Sequence, residues 1–167
     1  NQVAMSSLSP NGDKLIVSVR KKGKRRNDTD IMPNYISADG NIKAEKVRRR
    51  VADNRKYSDK LFVIDLVKGT KTELSYKSLP GYNDDVLAEV RKENYAREGK
   101  TYENNRLPRN IALIAARKTV DWNQSGDQVA MMLEAWDNKD RWIVTVDFDK
   151  SRLVSQHKYH DTAWVNY

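Results

Sequence analysis

The chain has 167 residues, of which 38% are hydrophobic and 32% charged, and its net charge is +8. This length suits one domain with a modest core, and no apolar run approaches the ~20 residues of a membrane-spanning helix. The lack of cysteine excludes disulfides and cysteine-ligated metals. Residues Asn1 to Leu8 have neither the basic start nor the apolar centre of a signal peptide, so we expect a mature or excised piece.

The chain opens with the pattern of a tight hairpin. Val3 to Leu8 predicts a strand, Ser9-Pro10-Asn11-Gly12-Asp13 a turn, and Leu15 to Val19 a second strand with alternating exposure. Pro10 presets the backbone for the second turn position, and Gly12 can adopt the left-handed conformation that closes the turn.

The next segment carries all the excess charge. Arg20 to Lys56 holds 13 Lys/Arg and 5 Asp/Glu, whereas the rest of the chain is balanced. Asp39-Gly40 predicts a hairpin turn inside this insertion. We therefore expect a basic patch confined to this segment, and not a protein that is basic over its whole surface. Its candidate residues are Arg25, Arg26, Arg48, Arg49 and Arg50.

Strand patterns return after the insertion and lead to the one predicted helix. Leu61 to Leu66 and Thr70 to Tyr76 predict two strands joined by a turn at Lys68-Gly69. Asp84-Asp85 predicts the start of a helix that runs to about Glu98 and ends at Gly99. Within it, Val86, Leu87 and Val90 share one face, and Glu93 and Arg97 form an i,i+4 pair.

The last third is the most regular part of the sequence. Ile111 to Ala116 predicts a strand that Val120-Asp121-Trp122 continues, and Asn123 to Asp127 predicts a turn. Three further strands follow, separated by turns at residues 137–140 and 149–151. Their alternating apolar residues are Val129, Met131 and Leu133, then Trp142, Val144, Val146 and Phe148, then Leu153-Val154.

Two segments share this layout. The Gly12-Asp13 turn and the strand after it match the Gly126-Asp127 turn and its strand, while Leu61 to Leu66 matches Ile143 to Phe148. Asp65 and Asp147 end the matched strands, and we expect their side chains to cap the following turns. We take Gly12, Asp13, Gly126 and Asp127 as structural turn residues at equivalent corners.

Repeated four-stranded antiparallel sheets are the unit of a β-propeller. We therefore predict a mainly β fold, a partial propeller of about two blades with a basic insertion and one inserted helix. The predicted division is a first blade at 1–79 with the insertion at 20–56, a helical connection at 80–109, and a second blade with the start of the next at 110–167. An ordinary β-sandwich with similar turns is the alternative.

The turns and their flanks resemble the propeller of bacterial dipeptidyl-peptidase IV-like members of the prolyl oligopeptidase family of serine peptidases. The likeness covers most of the chain and is most specific at 121–167. The stretches that carry it are the turn segments Ser9 to Leu15 and Gln124 to Val129, together with Ala44 to Ala52, Leu79-Pro80-Gly81 and Met132 to Ile143.

This resemblance implies a longer parent, a serine exopeptidase or oligopeptidase in which the propeller controls peptide access to a hydrolase domain in cis. It also implies a periplasmic or extracellular location. The chain itself has no Gly-x-Ser-x-Gly motif for a nucleophile, and it lacks the Glu-Glu pair with which such relatives hold a substrate's amino terminus. We therefore expect no catalytic residue here, assign no substrate-binding residue, and expect no cofactor.

Other classes of function remain open at this point. A free-standing propeller-like module that binds a peptide or protein is the first alternative. Nucleic-acid binding by the basic insertion is disfavoured because the aromatic residues are not interleaved with the charges. His157 and His160 do not predict a metal site because residues three apart on a strand face opposite sides. Unpaired strand edges also predict self-association of the isolated chain, and we expect no membrane partner.

Overall fold

The computed structural model describes residues 1–21, 30–47, 57–104, 108–114, 119–163 and 165. Strands account for 46% of these residues and helices for 9%, so the predicted mainly β class is confirmed. The strands in chain order are β1 (Gln2–Leu8), β2 (Lys14–Arg20), β3 (Asp30–Asn34), β4 (Lys43–Val47), β5 (Lys60–Asp65), β6 (Thr70–Leu74), β7 (Ile111–Leu113), β8 (Val120–Trp122), β9 (Val129–Ala135), β10 (Asp140–Asp147) and β11 (Arg152–His160).

The described chain forms two compact units, residues 1–21 with 57–167, and residues 22–56. In the smaller unit β3 and β4 pair antiparallel, and Gly40 N donates to Ser37 O at 3.0 Å in the turn between them. The predicted turn at Asp39-Gly40 is therefore confirmed. The predicted patch residues Arg25, Arg26, Arg48, Arg49 and Arg50 lie outside the described residues.

The larger unit contains two antiparallel sheets. The first has the order β1-β2-β5-β6, and the second has the order β11-β10-β9-β7 with β8 also paired to β9. Each sheet thus contains a four-stranded meander. The stretch predicted as one strand at 111–116 with a continuation at 120–122 is instead two short strands, β7 and β8, which pair with successive halves of β9.

The predicted helix is shorter than expected. Helix α1 spans Ala88–Arg97, with Leu87 at its N-cap and no side-chain cap. Asp84 therefore does not start it, and Asp85 accepts a hydrogen bond from Leu87 N at 3.1 Å one turn earlier. The helix buries no residue, so the expected apolar face does not form part of the core. The Glu93–Arg97 pair is present at 2.6 Å.

The two meanders match residue by residue. With the Gly-Asp turns aligned, Leu8 corresponds to Trp122, Ile16 to Ala130 and Leu61 to Ile143. All three pairs between β8 and β9 then have counterparts between β1 and β2. Four of the five pairs between β9 and β10 have counterparts between β2 and β5. The Gly-Asp turns therefore occupy equivalent corners, as the sequence predicts.

Cross-strand partners share a face of a sheet, so the register defines two faces for each sheet. In the first sheet, the Ile16 face carries Ser7, Ile16, Ser18, Leu61, Val63 and Leu74, and the Val17 face carries Leu8, Leu15, Val17, Val19, Phe62 and Ile64. In the second sheet, the Met131 face carries Trp122, Val129, Met131, Leu133, Val144 and Val146, and the Met132 face carries Ala130, Met132, Ile143 and Thr145.

The Ile16 face of the first sheet packs against the Met131 face of the second. Ile16, Leu61 and Leu74 belong to the same buried cluster as Met131 and Val144, and Trp122 Nε1 donates to Ser7 Oγ at 3.0 Å. In the aligned repeat, however, the Met131 face corresponds to the Val17 face. The two sheets are therefore in contact through non-equivalent faces.

Candidate functional site

The two ends of the stacked sheets differ. One end carries the turns at Ser9–Asp13 and Asn123–Asp127, whereas the tight turn from β9 to β10 lies at the other end. At the other end, β2 and β9 finish, β5 and β10 begin, and both long connections, residues 21–59 and 75–110, leave the sheets. We call this second end the loop end. Binding residues concentrate on connections held by a rigid scaffold, and the loop end carries several buried charged groups.

An arginine-centred group, which we call the Arg109 cluster, lies at the loop end and comprises Arg109, Asp137, Asp140, Lys158 and His160. Only 6% of the Arg109 side chain is exposed. Its Nε and Nη2 donate to the two carboxylate oxygens of Asp137 at 2.8 and 2.6 Å, and its Nη1 donates to Asp140. This fork arrangement holds both carboxylates in fixed positions.

Asp140 is the most buried acid of the cluster, with no exposed side-chain surface. Nδ1 of His160 donates to its Oδ1 at 2.6 Å, and Nζ of Lys158 lies 3.5 Å from its Oδ2. Burial alone raises the pKa of Asp140, but the hydrogen bonds from Arg109 and His160 outweigh it, so the pKa lies below its usual value. Asp140 therefore remains a carboxylate throughout the neutral range.

The loop at residues 79–82 is fitted against this cluster. Nη1 of Arg109 donates to Gly81 O at 3.2 Å, and Nε1 of Trp142 donates to Pro80 O at 3.0 Å. Gly81 has φ +79°, and a Cβ there would stand 2.5 Å from Nζ of Lys158. The positive φ favours glycine at this position, and a larger residue would also displace the end of the Lys158 side chain.

A second ion pair joins β2 to the start of β5 at the same end. Nε and Nη2 of Arg20 donate to Asp59 at 2.8 and 2.6 Å, and Asp59 is 1% exposed. The hydrogen bond to Asp59 raises the pKa of Arg20. In the aligned repeat, Arg20 corresponds to Glu134 and Asp59 to Arg141, which lie 4.0 Å apart. The two sheets thus have an ion pair at equivalent positions, but the cation is on β2 in the first sheet and on β10 in the second.

The buried charges at the loop end are held in fixed positions by their partners. The buried carboxylates of Asp59 and Asp140 are each matched by cations, and 47% of the His160 side chain is exposed. Among the described residues, no group of three or more His, Asp or Glu is placed to hold a metal ion. The loop end therefore offers rigid charged positions that can orient a bound partner.

The predicted turn residues lie at the opposite end from this cluster. Gly12 and Gly126 have φ of +74° and +73°, and each donates its N–H three residues back, to Ser9 O and Asn123 O. Asp13 and Asp127 accept hydrogen bonds from Ser9 and Ser125 within these turns. All four residues thus lie in hydrogen-bonded turns.

The expected caps after the matched strands are also present. Asp65 accepts hydrogen bonds from the backbone N–H groups of Val67 and Lys68, and Asp147 accepts one from Lys150. His157 and His160 are separated as predicted: His157 contacts the Tyr159 ring edge to face, and His160 turns to Asp140. Sequence reasoning missed Arg109, Asp140 and Asp59, although an acidic residue at the start of the buried strand β10 was a usable signal for Asp140.

Comparison of the sequence with protein-family models and with curated proteins gave no match. Within the described ranges, no helix has the length and apolar character needed to cross a bilayer.

Proposed function

We propose that this chain is a two-blade segment of a β-propeller in a serine exopeptidase or oligopeptidase of the prolyl oligopeptidase type. It carries no catalytic group of its own and gates the access of peptides to a hydrolase domain in cis. The peptidase assignment rests on the motif resemblance at residues 121–167. The propeller assignment rests on the way in which the two sheets pack.

The carrying observation is the contact between non-equivalent faces. When two copies of a sheet pack as a two-layer sandwich related by a two-fold axis, the same face of each copy is buried. Here the Ile16 face meets the Met131 face, so each sheet retains one face that the packing does not use. Packing of this heterologous kind can continue to further sheets and can close into a ring, as in a propeller of about 4–8 blades.

In this proposal, the propeller acts as a filter. A ring placed over a hydrolase pocket admits short peptides, excludes folded proteins and limits water at the reacting bond. The basic insertion steers the acidic ends of peptides or lines the interface with the hydrolase domain. A periplasmic or extracellular location belongs to the same proposal.

The parent gene provides the first test. A serine nucleophile motif encoded after Tyr167, and cleavage of short peptide substrates by the expressed parent, are expected. For the insertion, Arg48→Gln/Arg49→Gln/Arg50→Gln is expected to lower kcat/KM for acidic peptides and to reduce its salt dependence. Lys68→Gln/Lys71→Gln/Lys77→Gln, at exposed positions outside the insertion, is the matched control. Equal kcat/KM and equal salt dependence in both variants would remove the steering role.

The fixed charges of the loop end favour a second candidate, a free-standing module that binds a peptide or protein. The two candidates differ in what the parent does. A parent without a hydrolase nucleophile, whose isolated chain binds peptides in titration calorimetry, supports the module. A parent whose peptidase activity is lost on changing its nucleophilic serine supports the enzyme.

A further inference from the structure

The Val17 face of the first sheet has an apolar area on β1, β2 and β5 that does not belong to the core cluster formed with the second sheet. Three exposed charged residues lie along its β5–β6 side, namely Lys60, Lys71 and Glu73. At its centre Val17 is 9% exposed between its strand neighbours, and Nζ of Lys71 lies 4.8 Å from the centroid of the Phe62 ring. At its border Leu8 is 54% exposed. Leu66, in the turn after β5, is 48% exposed beside it. A contiguous apolar surface of this kind marks an interaction site more often than a free surface.

The aligned repeat shows how such a face is covered. Leu8 and Leu66 correspond to Trp122 and Phe148, which stack at 6.0 Å between the two sheets. Val17 and Phe62 correspond to Met131 and Val144, which are 2% and 0% exposed. What covers these second-sheet residues is the Ile16 face of the first sheet. The β1–β2 side of the Val17 face, with Phe62, therefore has the apolar residues of a surface that receives an Ile16-type face, whereas its β5–β6 side is charged.

The Met132 face of the second sheet is the matching surface. Its residues Ala130, Met132, Ile143 and Thr145 correspond to Ile16, Ser18, Leu61 and Val63, and all four are partly exposed. The internal contact also places Asn11 against Gly126. The corresponding residues are Ser125 and Gly12, and the space around a Cβ at Gly12 is open to 4 Å. The Val17 face and the Met132 face are thus the two surfaces that could repeat the internal contact, and they lie on opposite sides of the stacked sheets.

We propose that copies of this chain associate head to tail, with the Val17 face of one copy packed on the Met132 face of the next. This interface continues the packing already present inside each copy, with the same register of turns. It differs from pairing through strand edges, which would leave the Val17 face in water. The inference rests on the repeat and not on the peptidase assignment, so the two can fail separately.

The test uses the 167-residue chain and two face variants. Leu8→Glu/Leu66→Glu places charges on the Val17 side at two half-exposed positions, and Met132→Glu places one on the Met132 face. Ala130→Glu is the replacement should Met132→Glu fail to show the native circular dichroism spectrum. Leu87→Glu/Val90→Glu, at the exposed start of α1, is the matched control for adding acids at exposed apolar positions.

Sedimentation velocity and light scattering then measure the mass of each protein across a wide concentration range. We expect the unchanged chain and the α1 control to associate, and each face variant to have a Kd raised about tenfold to thirtyfold. A mixture of the two face variants is expected to form a dimer that does not grow, because each contributes one intact face.

Three results would overturn the proposal. The first is a strictly monomeric unchanged chain. The second is association that both face variants retain, which would indicate pairing through strand edges. The third is a Met132→Glu variant that dimerises with the Kd of the unchanged chain and forms no mixed dimer with the Leu8→Glu/Leu66→Glu variant, which would indicate a two-fold contact of Val17 faces. None of these results bears on peptide cleavage by the parent.

Discussion

The side chain of Asn11 lies directly against Gly126, so that the turn of the first sheet touches the equivalent turn of the second. A Cβ at position 126 would stand 2.5 Å from Oδ1 of Asn11, closer than real Cβ contacts allow. Gly12, at the same place in its own turn, has nothing within 4 Å of its Cβ position. Two glycines with the same backbone conformation thus have different surroundings.

Gly126→Ala is therefore expected to destabilise the chain more than Gly12→Ala. Both substitutions place a side chain at a positive φ, at a cost of about 1–2 kcal/mol. Only Gly126→Ala also displaces Asn11, which we expect to add about 1 kcal/mol. Urea unfolding followed by circular dichroism measures both. In an Asn11→Ala background the two glycine substitutions should cost the same, and a persistent difference would contradict the contact as its cause.

Asp140→Asn is expected to lower the free energy of unfolding by about 3 kcal/mol, because it removes the fully buried carboxylate that faces Arg109 and Lys158 and leaves Arg109 only the partly exposed Asp137. Asp149→Asn, on an exposed turn, is the matched control and should change stability by less than about 0.5 kcal/mol. Chemical unfolding at neutral pH measures both variants. Equal stability of the two would show that the Arg109 cluster does not support the fold.

The pKa of Asp140 also predicts a pH dependence. It lies below the ordinary value of 3.8, so the group binds fewer protons in the folded state than in the unfolded state at acid pH. Its stabilising contribution is then complete above pH 3.8 and is lost as the pH falls through the lower folded-state pKa. The stability difference between the unchanged chain and Asp140→Asn should be constant near neutrality and shrink below pH 3.8. A difference that grows on acidification would contradict the sign.

The Arg20–Asp59 pair is expected to couple strongly in a double-mutant cycle of Arg20→Met and Asp59→Asn. Both side chains are mostly buried and joined by two parallel hydrogen bonds, so we expect a coupling energy of about 1–3 kcal/mol. The exposed Lys60–Glu73 pair at 3.2 Å is the control, with an expected coupling below about 1 kcal/mol. Similar couplings for the two pairs would count against a structural role for the buried one.

Ser18 and Ser9 are expected to respond oppositely to alanine. Ser18 is fully buried on the Ile16 face, and its Oγ has no hydrogen-bond partner among the described residues. Ser18→Ala should therefore raise stability by up to about 1 kcal/mol. Ser9 Oγ accepts from Lys14 N at 2.9 Å and donates to Asp13, so Ser9→Ala should lower stability by about 1 kcal/mol. Thermal unfolding compares the two, and destabilisation by Ser18→Ala would point to a bound water or another partner.

Much of the local structure could be predicted from the sequence because short-range chemistry decides it. Gly12 and Gly126 provide the positive φ that their turns need, and Asp65 and Asp147 bond to backbone groups two or three residues away. The strand β9 alternates strictly between buried and partly exposed residues, and the alternation of its residue types is enough to predict a strand. The start of α1 was predicted too early because an aspartate such as Asp84 or Asp85 can bond to backbone N–H groups in a turn as well as at the start of a helix.

The sequence by itself determined the turns, the strands and the repeat of two meanders, since each depends on residues that are close along the chain. Only the tertiary structure decided which faces meet, because β2 is apolar on both sides and its period favours neither Ile16 nor Val17. It also decided the Arg109 cluster, whose central pair joins residues 31 apart in sequence. Such a pair forms only where packing removes water from both charges, and no local pattern records that.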